Sequence, residues 1–152
     1  MSSYLCFYLV PKKVRTFENM EGVHEIKLSE GIPLKIDCFS RSSDVYQYFY
    51  NNLNIAYCGE EDKYTEITSE KFDTVLEAIK NEIIPLHRRI KSYYKALQGP
   101  NFREVLGDIE VFEEEYTDLL ETYNYVKSLK TFVGNATDKY SGDFEKCVAN
   151  VD

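Results

Sequence analysis

Side chains suited to chemistry are few in this chain and poorly spaced for it. The two histidines, His24 and His87, lie far apart, and neither sits in a His-Glu-x-x-His or Cys/His zinc pattern. No Gly-x-x-x-x-Gly-Lys, Gly-x-Gly-x-x-Gly or Gly-x-Ser-x-Gly occurs, so phosphate loops and nucleophile elbows are missing. Glu60-Glu61-Asp62 lacks the alternating oxygen ligands of a calcium loop and reads as a solvated turn. Glu113-Glu114-Glu115 would point around a helix rather than at one ion. The expectation is a non-enzyme with no catalytic, cofactor-binding or metal-ligating residue, and with His87 as a flank residue beside Glu113.

Aromatic residues offer a different chemistry. Tyr46, Tyr48, Phe49 and Tyr50, with Tyr57 and Tyr64, are candidates for a stacking platform for a base, with Arg41 and Lys63 as basic neighbours. Packing between a helix and a sheet is the simpler expectation. The runs Ser40-Arg41-Ser42-Ser43 and Lys12-Lys13-Val14-Arg15 are candidate anion contacts, with solvated loops as the plainer reading.

Composition narrows the partners. A net charge of −8, from 26 acidic against 18 basic residues, disfavours a nucleic-acid footprint and adsorption to an anionic membrane. Tyr-Leu-Cys-Phe-Tyr-Leu-Val at 4–10 is the apolar run near the start, too short for a secretory signal or a membrane helix. Cys6, Cys38, Cys58 and Cys147 show no Cys-x-x-Cys spacing and read as reduced core thiols in a cytoplasmic protein.

The elements that must position any site follow from periodicity. Ser3–Val10 reads as a central strand ended by Pro11. Val23–Leu28 is a weaker strand, and Ile32–Cys38 alternates with a period of two, with Pro33 placing it at an edge or a strand start. Ser42, Ser43 or Asp44 caps a short helix carrying Val45, Tyr48, Phe49 and Leu53 on one face. Ile55–Cys58 and Tyr64–Thr68 suggest a hairpin, and Phe144–Val151 a returning strand.

Between these lie two heptad seams. Phe72, Leu76, Ile79, Ile83, Leu86, Ile90, Tyr93 and Leu97 form the first. Phe102, Val105, Ile109, Phe112, Tyr116, Leu119, Tyr123 and Val126 form the second, beyond Gly99-Pro100. Steps alternating between three and four place each set on one helical stripe, the coiled-coil pattern. Folded back at Gly99-Pro100, Ile83 faces Tyr116 and Leu86 faces Phe112, with residue numbers summing to 199 and 198. Arg89 would then bridge to Asp108. Thr68 or Ser69 starts the first helix and Gly134-Asn135 ends the second. Pro85 is expected to kink the first, and Gly107 to mark the true start of the second.

The expected architecture is one α+β domain over residues 1–152. Residues 1–68 and 143–152 build a small, mainly antiparallel sheet with one packed helix, and 69–134 form a long antiparallel coiled-coil helical hairpin. Val75, Leu120, Leu129 and Phe132 should dock on the sheet. Ile84, Tyr94, Leu106 and Val111 lie beyond its reach and form a candidate partner contact, simplest as the interface of a homodimer. Glu104, Asp108, Glu110, Glu113, Glu114, Glu115, Asp118 and Glu121 form a candidate acidic face, which as an alternative could mimic nucleic acid toward a protein that binds it. The third reading is a small-ligand (nucleotide) binder with a pocket between the short helix and the sheet.

Ser3–Lys13, Ser40–Asn54 and Phe144–Asp152 together resemble small phage and prophage proteins with strands at both ends and a helical hairpin between. The resemblance covers about a quarter of the chain and transfers no site residue. It implies an accessory factor that binds a host protein.

Overall fold

The computed structural model describes residues 3–12, 14–16, 26–28, 33–57 and 63–152. Their elements are β1 (Tyr4–Pro11), β2 (Val14–Thr16), β3 (Ile26–Leu28), β4 (Leu34–Ser40), α1 (Asp44–Asn52), β5 (Thr65–Glu66), α2 (Ser69–Ala96), α3 (Phe102–Ala136) and β6 (Phe144–Val151). The fold is α+β: a four-stranded sheet in the order β4-β1-β6-β5, antiparallel throughout, with three helices.

As its two-sided apolar composition requires, β1 is an inner strand, with Leu5, Cys6, Phe7 and Leu9 buried. It ends at Pro11, opposite Phe144 of β6. The returning strand is the other inner one, burying Cys147 through Val151. Immediately after Pro33, β4 forms one edge. Its alternation is broken where Phe7 pairs with Asp37 but Tyr8 pairs with Lys35, leaving Ile36 as the extra residue. A one-residue bulge reverses the facing of the residues beyond it, so Ile36 and Phe39 both reach the core.

Several local expectations are corrected. Among the described residues Tyr64–Thr68 forms no ladder with Ile55–Tyr57; Thr65 and Glu66 pair with β6, while Tyr57 makes a parallel bridge to Val151. A single strand, β6, therefore organises both segments, and the Thr65 hydroxyl accepts from the Ala56 N–H at 2.8 Å. Residues 58–62 of the expected turn, with Cys58, lie outside the described residues, as do His24 and the start of Val23–Leu28. The basic run expected as a loop contributes β2, which pairs with β3 in a separate two-stranded ladder. Cys6 and Cys38 are not free thiols: they are direct partners across β1 and β4, 4.1 Å apart at Cα, and form a disulfide. Cys147 is buried, and burial pushes its thiol up to about 12.

At the helix ends Thr68 caps α2 by accepting the Lys71 N–H, whereas Ser43 starts α1 without a side-chain cap bond. The helix α2 passes through Pro85 unbroken. Gly107 lies inside α3, which starts at Phe102. Rather than stopping at Gly134, α3 continues to Ala136, with Thr137 as its cap residue donating its hydroxyl to the Val133 carbonyl at 2.7 Å. Among the described residues, the glycine that the geometry requires is Gly142, where an added Cβ would fall 2.3 Å from the Ala136 carbonyl oxygen.

The principal core lies where the sheet, α1 and the near halves of α2 and α3 meet. Phe7 packs edge-on to Phe49 at 4.9 Å, and Phe49 to Phe72 at 5.9 Å. Val75, Ile79, Val126 and Leu129 complete this layer. Leu86, Ile90 and Leu119 form a second, smaller cluster further along the helices, flanked by Ile83, Phe112 and Tyr116.

Candidate functional site

Cross-helix contacts give the direction of α2 and α3. Asp73 forms an ion pair with Lys130, His87 stacks on Tyr116 at 5.6 Å, and Tyr93 stacks on Phe112 at 5.3 Å. As the α2 number rises the α3 number falls, so the two helices run antiparallel. Fifteen of the sixteen seam residues are buried or half-buried, and Phe102, at the start of α3, is the exposed one.

These contacts also refine the register. Number sums for Asp73–Lys130, His87–Tyr116 and Tyr93–Phe112 are 203, 203 and 205, above the expected 198–199. Side chains lean toward the N terminus of their own helix. In an antiparallel pair both leanings raise the sum, and long side chains raise it most. Ile83 and Tyr116 still pack against the same cluster. Tyr93 stacks on Phe112, and His87 on the Tyr116 ring. Arg89 lies over the Phe112 ring at 5.4 Å instead of pairing with Asp108.

Three tyrosines donate to carboxylates on other elements: Tyr48 of α1 to Glu82, Tyr94 to Glu113, and Tyr125 to Asp37 of β4. Burial first, then the carboxylate bond, raises the Tyr48 and Tyr125 phenols above their ordinary range. For Tyr94 the bond to Glu113 is the main cause of a rise. These pairs locate α1 on the Glu82 flank of the helix pair and β4 beside α3.

The candidate contact residues are all exposed: Ile84 at 40%, Tyr94 at 48%, Leu106 at 46% and Val111 at 63%. At about 100° per residue, Ile84, Tyr94 and Leu106 project on the flank away from α1, while Val111 projects on the flank that carries Glu115. Ile84, Tyr94 and Leu106 thus share one flank, with Ile84 about 15 Å from Tyr94 along α2. Val75 and Leu129 dock in the principal core as expected and Leu120 is half-buried, but Phe132 is 53% exposed. Phe132 instead lines a shallow groove with Ile36, Tyr125 and Leu129.

Glu104, Asp108, Glu110, Glu114, Glu115, Asp118 and Glu121 are exposed, and Glu113 is half-buried beneath Tyr94. Together they wrap about 220° of the α3 circumference, the whole side opposite the seam. That is the distribution of a solvated face rather than of one charged track. Among the described residues no group of His, Cys, Asp or Glu is arranged to hold a metal, and no helix is long and apolar enough to cross a membrane.

The aromatic platform is dispersed. Phe49 is core, Tyr48 turns to Glu82, and Tyr64 stacks edge-on to Tyr8 at 5.4 Å. Tyr46, Tyr50 and Tyr57 do converge, around a cleft between α1 and the end of β6. Comparison with protein-family models, curated proteins and solved structures finds no match for this chain.

Proposed function

We propose that this chain is a non-enzymatic protein–protein interaction protein whose working part is an arm, a coiled-coil hairpin made by α2 and α3. The observation that supports it most is the exposure of Ile84, Tyr94 and Leu106 beyond the principal core. Apolar side chains clustered on one flank lose little by folding and gain by being covered. A second copy of the chain is the occupant, because a two-fold axis makes one such patch complementary to itself. In this reading the protein is a cytoplasmic accessory factor of phage or mobile-element type, and its dimer presents the arms to a host protein. In a reducing compartment Cys6 and Cys38 would stand as a dithiol, with the β1–β4 ladder holding them together.

Mimicry of nucleic acid by the acidic side of α3 is the alternative. The spread of its carboxylates around the helix supports it less well. Light scattering across a dilution series tests the primary reading. A dimer is expected for the native chain, and Leu106→Glu should convert it to a monomer while leaving helicity and stability within about 0.5 kcal/mol. A native chain that is monomeric at every concentration contradicts it.

A further inference from the structure

We propose that the cleft between α1 and the end of β6 binds a small ligand combining a planar ring with an anionic group, of the nucleoside monophosphate class. This site is separate from the arm and independent of its reading. The cleft encloses about 430 Å³, within the roughly 300–1,000 Å³ usual for small-molecule sites. Its lining includes Arg41, Gln47, Tyr50, Asn51 and Tyr57 and, among the described residues, no carboxylate. In a chain of net charge −8, a lining with one guanidinium and no described carboxylate favours an anion. The open surface along the first half of α2, by contrast, carries Glu70, Asp73 and Glu77.

Arg41 and Gln47 are placed by the fold and left with capacity. The Arg41 N–H donates to the Ser3 carbonyl at 3.0 Å, and the Arg41 carbonyl accepts from Gln47 Nε2 at 2.6 Å. The backbone at Arg41 is therefore fixed, yet among the described residues its guanidinium has no acidic partner within 4 Å. A planar guanidinium of this kind suits phosphate, which it can bind through two parallel N–H groups. Tyr46, buried, stacks on Tyr50 at 5.6 Å with ring planes 17° apart. One face of Tyr50 is thereby supported while the ring remains exposed, the arrangement that suits stacking by a base. Tyr57, also in the lining, is held by its backbone bridge to Val151. Gln47 Oε1 and the Asn51 amide supply an acceptor and a donor for a ring edge.

The test is titration of the full chain with adenosine monophosphate, uridine monophosphate and inorganic phosphate, followed by backbone amide chemical shifts. Saturable shifts confined to residues 41–57 and 149–151 are expected. Arg41→Gln should weaken both nucleotides about tenfold. Tyr57→Leu, which alters an exposed ring outside α1, should weaken nucleotides while leaving phosphate unchanged. Shifts absent, or centred on the basic segment 88–95, overturn the proposal. So does phosphate binding as tightly as the nucleotides, or Arg41→Gln binding like the native chain with its spectrum otherwise intact.

Discussion

The base of this molecule and the far part of its helix pair use the same residue types to opposite effect. At the base, Phe7, Phe49 and Phe72 are completely buried, enclosed by sheet, α1, α2 and α3. Farther out, Leu86, Ile90 and Leu119 are covered by the facing helix and by Tyr48 of α1 alone, and among the described residues Ile84, Tyr94 and Leu106 stay exposed. A sheet closes a core on itself. Two helices close only their shared seam and leave their flanks to solvent or to a partner. The second region is consequently the one whose surface chemistry is free to serve an interaction.

The largest expected effects sharpen this contrast. Phe49→Ala removes a ring that touches two others in the enclosed core and should cost about 3–5 kcal/mol in denaturant unfolding. Ile90→Ala, in the thinner cluster, should fall near the bottom of the range of about 2–5 kcal/mol for such truncations. Equal losses would mean that the two regions are packed alike. Next in size is the Cys6–Cys38 disulfide, which closes 32 residues at the base. Its reduction should lower stability by about 2–4 kcal/mol through unfolded-state entropy, read as a shift in the denaturant midpoint. No shift would make the ladder alone sufficient.

The smallest effect tests the joint between the regions, where Tyr48 of α1 donates to Glu82 of α2. The folded phenol is raised above its unfolded value. Its contribution is thus fully present below the unfolded value of about 10 and is lost as pH rises through the folded one. Thermal unfolding of Tyr48→Phe should show a shallower decline above about pH 10 than the native chain, and identical slopes would remove Tyr48 from the joint.

How much of this was legible in the sequence depends on the range of the interactions. The seams were readable because helical spacing is local, and so was β1, whose two apolar faces demand an inner position. The bulge at Ile36 was not, since it depends on the pairing of Phe7 and Tyr8 with another strand. Nor was the role of β6, which captures residues 65–66 and Tyr57 from far away in the chain. The pairing of Cys6 with Cys38 came from the β1–β4 register and left no spacing signal. In the candidate contact patch, exposure was predictable from heptad position. That Val111 stands on the other flank from Leu106 was already implicit in the step of five positions from one to the other, about 140° around the helix. The cleft beside Arg41 was hinted at by clustered tyrosines, but which of them face it depends on where α1 sits.

Hydrogen exchange measured over a range of protein concentrations tests the central claim most directly. If the far part of α2 and α3 is where copies of the chain meet, amides in 84–111 gain protection as concentration rises, while those of β1, β6 and α1 do not change. Protection of 84–111 that is independent of concentration would contradict it.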